Sequence, residues 1–269
     1  MPRLLVTDVD RTILTRDHAL PSRVEEQLAR AKEAGVLLVL ATARSPMGVR
    51  RYAEQLRPDW TICFNGGWTG DPMSGAALHR SPIKREAALK VMTAALAEGL
   101  PAMWFSEAGI HVLEDDEVVR REAAITKEPL HVARNLDDLP DAPGKIMCVA
   151  LEAERQQRFE LIRASFRDAL SISRSHARLL EIGAHGVSKR AAIQILAADL
   201  KISPQDCAAA GDAENDLEML AWAGVALTVE NGTPEAKQLA HYVAPSCDVG
   251  GMADAVAWLL REKTPAEAV

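Results

Sequence analysis

The segment VLLVLA, Val36 to Ala41, is apolar at every position. A strand with one face in water alternates apolar and polar residues; a strand without alternation is covered on both faces, as in a parallel sheet flanked by helices. The preceding segment PSRVEEQLARAKEAG reads as a helix, with Ser22 and Glu25 at capping-box spacing, Val24, Leu28 and Ala31 at helical intervals, and Gly35 as a stop. Before it stands a second apolar run, Leu4 to Thr7. Strand, helix, strand in this order predicts a right-handed βαβ unit.

The last third repeats the pattern. SKRAAIQILAADL predicts a helix with Ala192, Ile195 and Leu196 on one face; DCAAAGD predicts a short buried strand that breaks at Gly211. LEMLAWAG follows as a helix, VALTV and HYVAP as strands, GGMADAVAWLLRE as a closing helix, and KTPAEAV as a frayed tail. The middle has another rhythm: a helix in KREAALKVMTAALAEG, paired strands in AMWFSE and GIHVLE, then GKIMCVALE, ERQQRFELIRASFRDAL, LSISRS and RLLEI as strand, helix, strand, strand. The fold expected is α/β: a Rossmann-like parallel-sheet core, residues 1–81 and 183–269, with an inserted α+β cap domain, residues 82–182. The 269 residues, 48% of them hydrophobic, are enough to bury two such cores.

Charge narrows the partners. With 31 basic and 38 acidic side chains the formal net charge is -7, which argues against nonspecific attraction to nucleic acid or an anionic membrane surface. An anionic substrate then needs local help from a metal or a few placed cations. No apolar run approaches the ~20 residues of a membrane span, and MPRLLVTDVD reaches an acid too early for a secretory signal. Cys63, Cys148, Cys207 and Cys247 lack paired spacing and are expected as reduced core residues of a cytoplasmic protein. Met103 and Trp104 are likewise expected in a core, and His111, His131 and His176 show no metal-ligand spacing. The sequence carries no signal for oligomeric state.

In an open α/β sheet, ligands bind beyond the carboxyl ends of the strands. Asp8 and Asp10 follow the first strand, Thr42 the second, Gly211-Asp212 the CAAA strand and Glu230-Asn231 the VALTV strand, while Lys189 begins a helix. If strand geometry persists, Asp8 and Asp10 project to one side and crowd, so they share a cation or one takes a proton. Mg²⁺ prefers oxygen ligands and is commonly held by one or two carboxylates together with a substrate phosphate. A carboxylate can attack phosphorus if metal and lysine offset the charge, and a neighbouring carboxylate can protonate the leaving alcohol.

DVDRT (Asp8 to Thr12), Thr42 in ATAR, Lys189 in GVSKRAA and GDAENDLEML (Gly211 to Leu220) resemble, in order, the four motifs of the haloacid dehalogenase superfamily of phosphotransferases. The similarity is closest to its Cof-like sugar-phosphatase branch, which carries a large α+β cap; FNGG (Phe64 to Gly67) and PSCDVGGMADAV also resemble segments of that branch. The resemblance implies a phosphomonoester hydrolase acting on a small phosphorylated metabolite, with a sugar phosphate as first substrate class. It implies Asp8 as nucleophile and Asp10 as general acid and base. Asp8, the Asp10 carbonyl and Asp212 would hold Mg²⁺, with Asp216 as an outer acidic partner. Thr42, Ala43, Lys189 and Asn215 would bind the phosphoryl group or orient what does. Arg44 would reach the substrate or form a surface ion pair.

Arg11 and Ala43 replace glycines common in the family, and VENGTPE alters its late pattern around Asn231. Arg11 lacks glycine's backbone freedom, so the loop is expected to differ in shape or to gain a positive charge. Taken singly, Thr42 is a strand-end residue, Lys189 a solvated helix-start side chain, and Asp212 and Asp216 are caps of LEMLAWAG. A phosphomutase of the same superfamily and a noncatalytic phosphate-binding regulator resembling a receiver domain are the alternatives.

Overall fold

The computed structural model describes residues 1–152 and 157–261. The expected tail, and residues 154–156 at the start of an expected helix, lie outside the described residues. In chain order the strands are β1 (Leu4–Thr7), β2 (Leu37–Ala41), β3 (Trp60–Cys63), β4 (Trp68–Asp71), β5 (Ala76–Arg80), β6 (Ala102–Ser106) and β7 (Gly109–Val112). They continue with β8 (Leu130–Val132), β9 (Lys145–Val149), β10 (Leu170–His176), β11 (Leu179–Ala184), β12 (Cys207–Ala210), β13 (Val225–Val229) and β14 (Tyr242–Ala244). The chain forms two compact units, Met1–Thr42 with Arg51–Thr61 and Ala192–Val269, and Ala43–Arg50 with Ile62–Ala191.

The first unit is α/β. Its sheet runs β14-β13-β12-β1-β2-β3. β1 is parallel to β12, with Leu4 opposite Cys207, and parallel to β2, with Leu4 opposite Leu37. All four β1 residues are buried, as an unalternating run requires. From β1 the chain steps to one side through β2 and β3 and later to the other through β12, β13 and β14. The boundary between β1 and β12 is therefore the topological switch point, where α/β sheets open a crevice.

The helix Ser22–Glu33 buries Val24, Leu28 and Ala31 and packs on the helix Met252–Arg261. Its N-cap differs from the expected capping box. Pro21, extended at φ -65° and ψ 134°, is the cap residue, which puts Ser22 inside the first turn, and no side chain caps the helix. Gly35 has φ +85°, the left-handed conformation a helix stop uses. The helix Lys189–Asp199 buries Ala192, Ile193, Leu196 and Ala197, whereas Ile195, read on one face with Ala192 and Leu196, is exposed. Its apolar stripe is wider than one face, and Ile195 falls past its edge.

The second unit is built on a sheet of order β10-β11-β9-β6-β7-β8, antiparallel except between β7 and β8. This unit also holds the antiparallel hairpin β4–β5, which is not part of that sheet. Alternation sorts its sheet residues. Trp104, Ile146, Cys148, Leu180 and Ile182 join the helices Arg85–Ala97 and Arg158–Phe166 in one core that includes Phe159. The intervening residues include a buried ion pair, Lys145 Nζ to Glu181 Oε2 at 2.7 Å, whose other carboxylate oxygen accepts from Ser175 at 2.7 Å. Met103, Trp104 and all four cysteines are buried, and the cysteines are free thiols. Among the described residues no helix is long and apolar enough to cross a membrane.

Phe159 is fully buried. Phe159→Ala is expected to destabilise the protein by about 3–5 kcal/mol in urea unfolding; a loss below about 1 kcal/mol would contradict its place in that core.

Candidate active site

β1 ends at Thr7, and the next backbone N–H, that of Asp8, still donates to Ala210 O on β12 at 2.8 Å. Asp212 follows β12 past Gly211, and Asp216 ends a 3-10 turn, Glu214–Asp216. One oxygen of each of Asp8, Asp212 and Asp216 lies within 4.8 Å of the others, and all three residues are buried. Crowding of carboxylates is seen among these three. Strand geometry stops before Asp8, so the two-residue alternation no longer governs Asp10, whose Oδ1 lies 2.9 Å from Nδ1 of His18.

Burial pushes the Asp212 carboxyl well above the usual carboxylate range, and the charges of Asp8 and then Asp216 add to the rise, against smaller opposing effects of Arg11 and Thr12. Asp216 Oδ2 accepts from the backbone N–H of Asp212 at 2.9 Å and of Ala213 at 3.0 Å. It braces the loop that carries Asp212, and no side-chain cap bond ties it to the helix Leu217–Trp222. A side chain at Gly211 would place its Cβ 2.4 Å from Asp216 Cβ, so only glycine lets the brace approach.

Three residues not singled out as site residues from the sequence hold this arrangement. Thr12 donates to Asp212 Oδ1 at 3.0 Å. Asn231 donates from Nδ2 to Arg11 O at 2.8 Å and accepts at Oδ1 from Cys247 N at 2.8 Å, tying the Asp10 loop to the segment after β14. His18 meets Asp10. The signals were faint: Thr12 lies inside DVDRT, Asn231 follows β13, and His18 is one polar residue in a loop.

Arg11 has φ +61°. The backbone takes the left-handed conformation that glycine adopts freely, at a cost of about 1–2 kcal/mol for a residue with a Cβ, and the Arg11 charge opposes the rise at Asp212.

Thr42 is fully buried one residue beyond β2, Ala43 half-buried, and Asn215 half-buried in the turn of Asp216. Lys189 opens its helix and is 0% exposed, so the reading of a solvated helix-start lysine does not hold. Arg44 is also buried, away from the surface, and its guanidinium donates to Gly48 O at 3.2 Å.

Fold and site together define an α/β enzyme with carboxylates gathered at its switch point. The family model of haloacid dehalogenase-like hydrolases matches residues 5–256. The chain belongs to that family, and its enzymatic class is that of the phosphoric monoester hydrolases. An HMP-PP phosphatase of Enterobacter sp. (strain 638) is 28% identical, covering 87% of this chain and 86% of the relative. A haloacid dehalogenase-like hydrolase from Bacteroides thetaiotaomicron superposes with a TM-score of 0.85 at 24% identity, over 96% of this chain and 100% of that one. A subclass IIB sugar phosphatase of the superfamily superposes at 0.82 and 20% identity, over 96% and 98%. At these identities the two structures show the fold.

The raised Asp212 carboxyl has a consequence for stability. A group whose folded value lies above its unfolded one stabilises fully below the unfolded value, about 3.9 for Asp, and that contribution is lost as pH rises through the folded value. In chelator, urea unfolding from pH 4 upward is expected to show this loss, and Asp212→Asn to flatten it. An unchanged pH profile in Asp212→Asn would contradict the crowding.

Proposed function

We propose that the chain is a Mg²⁺-dependent phosphatase that passes the phosphoryl group through an aspartyl-phosphate on Asp8, acting in the cytoplasm on a small phosphorylated metabolite. The observation that carries this reading is the buried trio Asp8, Asp212 and Asp216. Three carboxylates with oxygens this close, one of them with a strongly raised carboxyl, suit a hard cation that accepts oxygen donors. Asp8, the Asp10 carbonyl and Asp212 would hold Mg²⁺, with Asp216 bracing Asp212. When bound, the ion supplies positive charge that offsets the nucleophile and the phosphoryl oxygens.

The remaining steps belong to the chain. Asp8 attacks phosphorus, the P–O bond to the alcohol breaks, and the electron pair leaves with the alcohol oxygen, which takes a proton from Asp10. Water then attacks phosphorus and gives a proton to Asp10, the bond to Asp8 breaks, and inorganic phosphate departs. Lys189, a lysine removed from water at a helix start, is assigned to the phosphoryl oxygens, with Thr42 and the backbone at Ala43 as further donors and Asn215 as their orienting group. Arg44 is assigned to the substrate.

Residues 82–182 are proposed as the cap that selects substrate. A sugar phosphate is the preferred class, supported by the shared fold of a sugar phosphatase. The HMP-PP phosphatase relative supports HMP-PP as a second substrate in the same role. A phosphomutase would leave phosphate on carbon.

The test is release of inorganic phosphate from a panel of sugar phosphates, nucleotides, cofactors and a nitrophenyl ester. Release is expected with Mg²⁺, not with chelator, and Asp8→Asn should lower it by at least about 10³-fold. Full turnover by Asp8→Asn would refute the mechanism.

A further inference from the structure

His18 lies in the loop between Asp10 and the helix Ser22–Glu33, with Nδ1 2.9 Å from Asp10 Oδ1. An ionised carboxylate offers only acceptors, so the ring nitrogen facing it carries the hydrogen. The backbone beneath the ring is fixed on both sides. His18 N donates to Thr15 O at 2.9 Å, and His18 O accepts from the Tyr52 hydroxyl at 2.8 Å. Tyr52 is itself buried, its ring lies 4.4 Å from the Arg51 guanidinium carbon, and Arg51 hydrogen-bonds its hydroxyl. His18 has φ +58°, a conformation uncommon for a residue with a Cβ. Backbone held in a sparsely populated region by this many contacts is over-determined, and such residues concentrate at working sites.

We propose that His18 is a positioning residue for the acid–base carboxyl of Asp10, a role that rests on the phosphatase mechanism above. The terminal torsion of an aspartate is broad and roughly two-fold, so an untethered carboxyl samples orientations that do not face the leaving oxygen. Donation to Oδ1 fixes its plane and assigns the transferable proton to Oδ2. As the bond from Asp8 to phosphorus forms and the bond to the alcohol breaks, the departing oxygen receives the electron pair and takes the Oδ2 proton. The competing role is purely structural: a loop residue required only for its left-handed backbone.

Substitution separates the two. Asn and Gly both accept positive φ; Asn places Nδ2 as many bonds from the backbone as Nδ1 of histidine, whereas Gly has no donor. The readout is kcat/KM for wild type, His18→Asn and His18→Gly on two substrates. One is an alkyl phosphate, whose leaving oxygen needs the proton; the other is p-nitrophenyl phosphate, whose leaving group does not. His18→Gly is expected to lose about 10–100-fold on the alkyl ester and less than about 3-fold on the nitrophenyl ester, with His18→Asn within about 3-fold of wild type on both. His18→Asp, which keeps the shape of Asn and lacks the donor, should repeat the loss seen with Gly and serves if His18→Gly does not fold. Equal behaviour of donor and donorless variants, or equal losses on the two esters, overturns the positioning role. No release by the wild type from either ester overturns the phosphatase reading and this role with it.

Discussion

The mutual repulsion of three buried carboxylates is the constraint around which the first unit is arranged. Asp8, Asp212 and Asp216 bring oxygens within 4.8 Å of one another, and burial leaves little water to screen them. Such a cluster works against folding unless a cation or protons offset it, and proteins keep such costs where function needs them. The sheet topology decides where it falls. β1 and β12 are parallel neighbours at the switch point, so the residues just past their ends meet without a long reach from either.

A network of hydrogen bonds holds the charged groups in place. Gly211 O accepts from Thr228 Oγ1 at 2.7 Å, Asp212 O accepts from Thr233 N at 2.8 Å, and Asp216 receives the N–H groups of Asp212 and Ala213. On the β1 side, Asn231 fixes the carbonyl of Arg11 and His18 meets Asp10. Some of these contacts are local and others join distant segments: Asn231 and Arg11 are 220 residues apart in sequence, and Thr12 and Asp212 are 200 apart. Their combined effect is preorganisation: groups that will meet developing charge already stand where they are needed.

Much of this was legible from sequence where burial dictates composition. β1, β2, β12 and β13 sit in the sheet interior, so their apolar runs announced them, and the acids after β1 and β12 marked its ligand-binding edge. Elements whose pattern is shared with the surface were missed or shifted. The helix Glu117–Thr126, capped by Asp116, has few buried positions and went unread, as did the short strand β8 and the hairpin β4–β5. The Ser22 cap failed because Pro21 already sets the chain's entry, and Ile195 because propensity does not reveal where a stripe ends. The site itself was read from Asp8, Asp212 and Asp216, yet the partner of Asp10 depends on a left-handed turn at His18 that no periodicity encodes.

The central claim is that phosphate passes through a covalent bond to Asp8. The direct test uses Asp10→Asn, in which the acid–base carboxyl is gone and hydrolysis of the intermediate is slowed. The variant is mixed with Mg²⁺ and a substrate that the wild type hydrolyses, quenched in acid within one turnover, digested, and its peptides weighed. A phosphoryl group on the peptide carrying Asp8, converted to homoserine at that position by borohydride, is the expected result. Phosphate on another residue, or turnover with no phosphoryl group on the protein, would contradict the role given to Asp8.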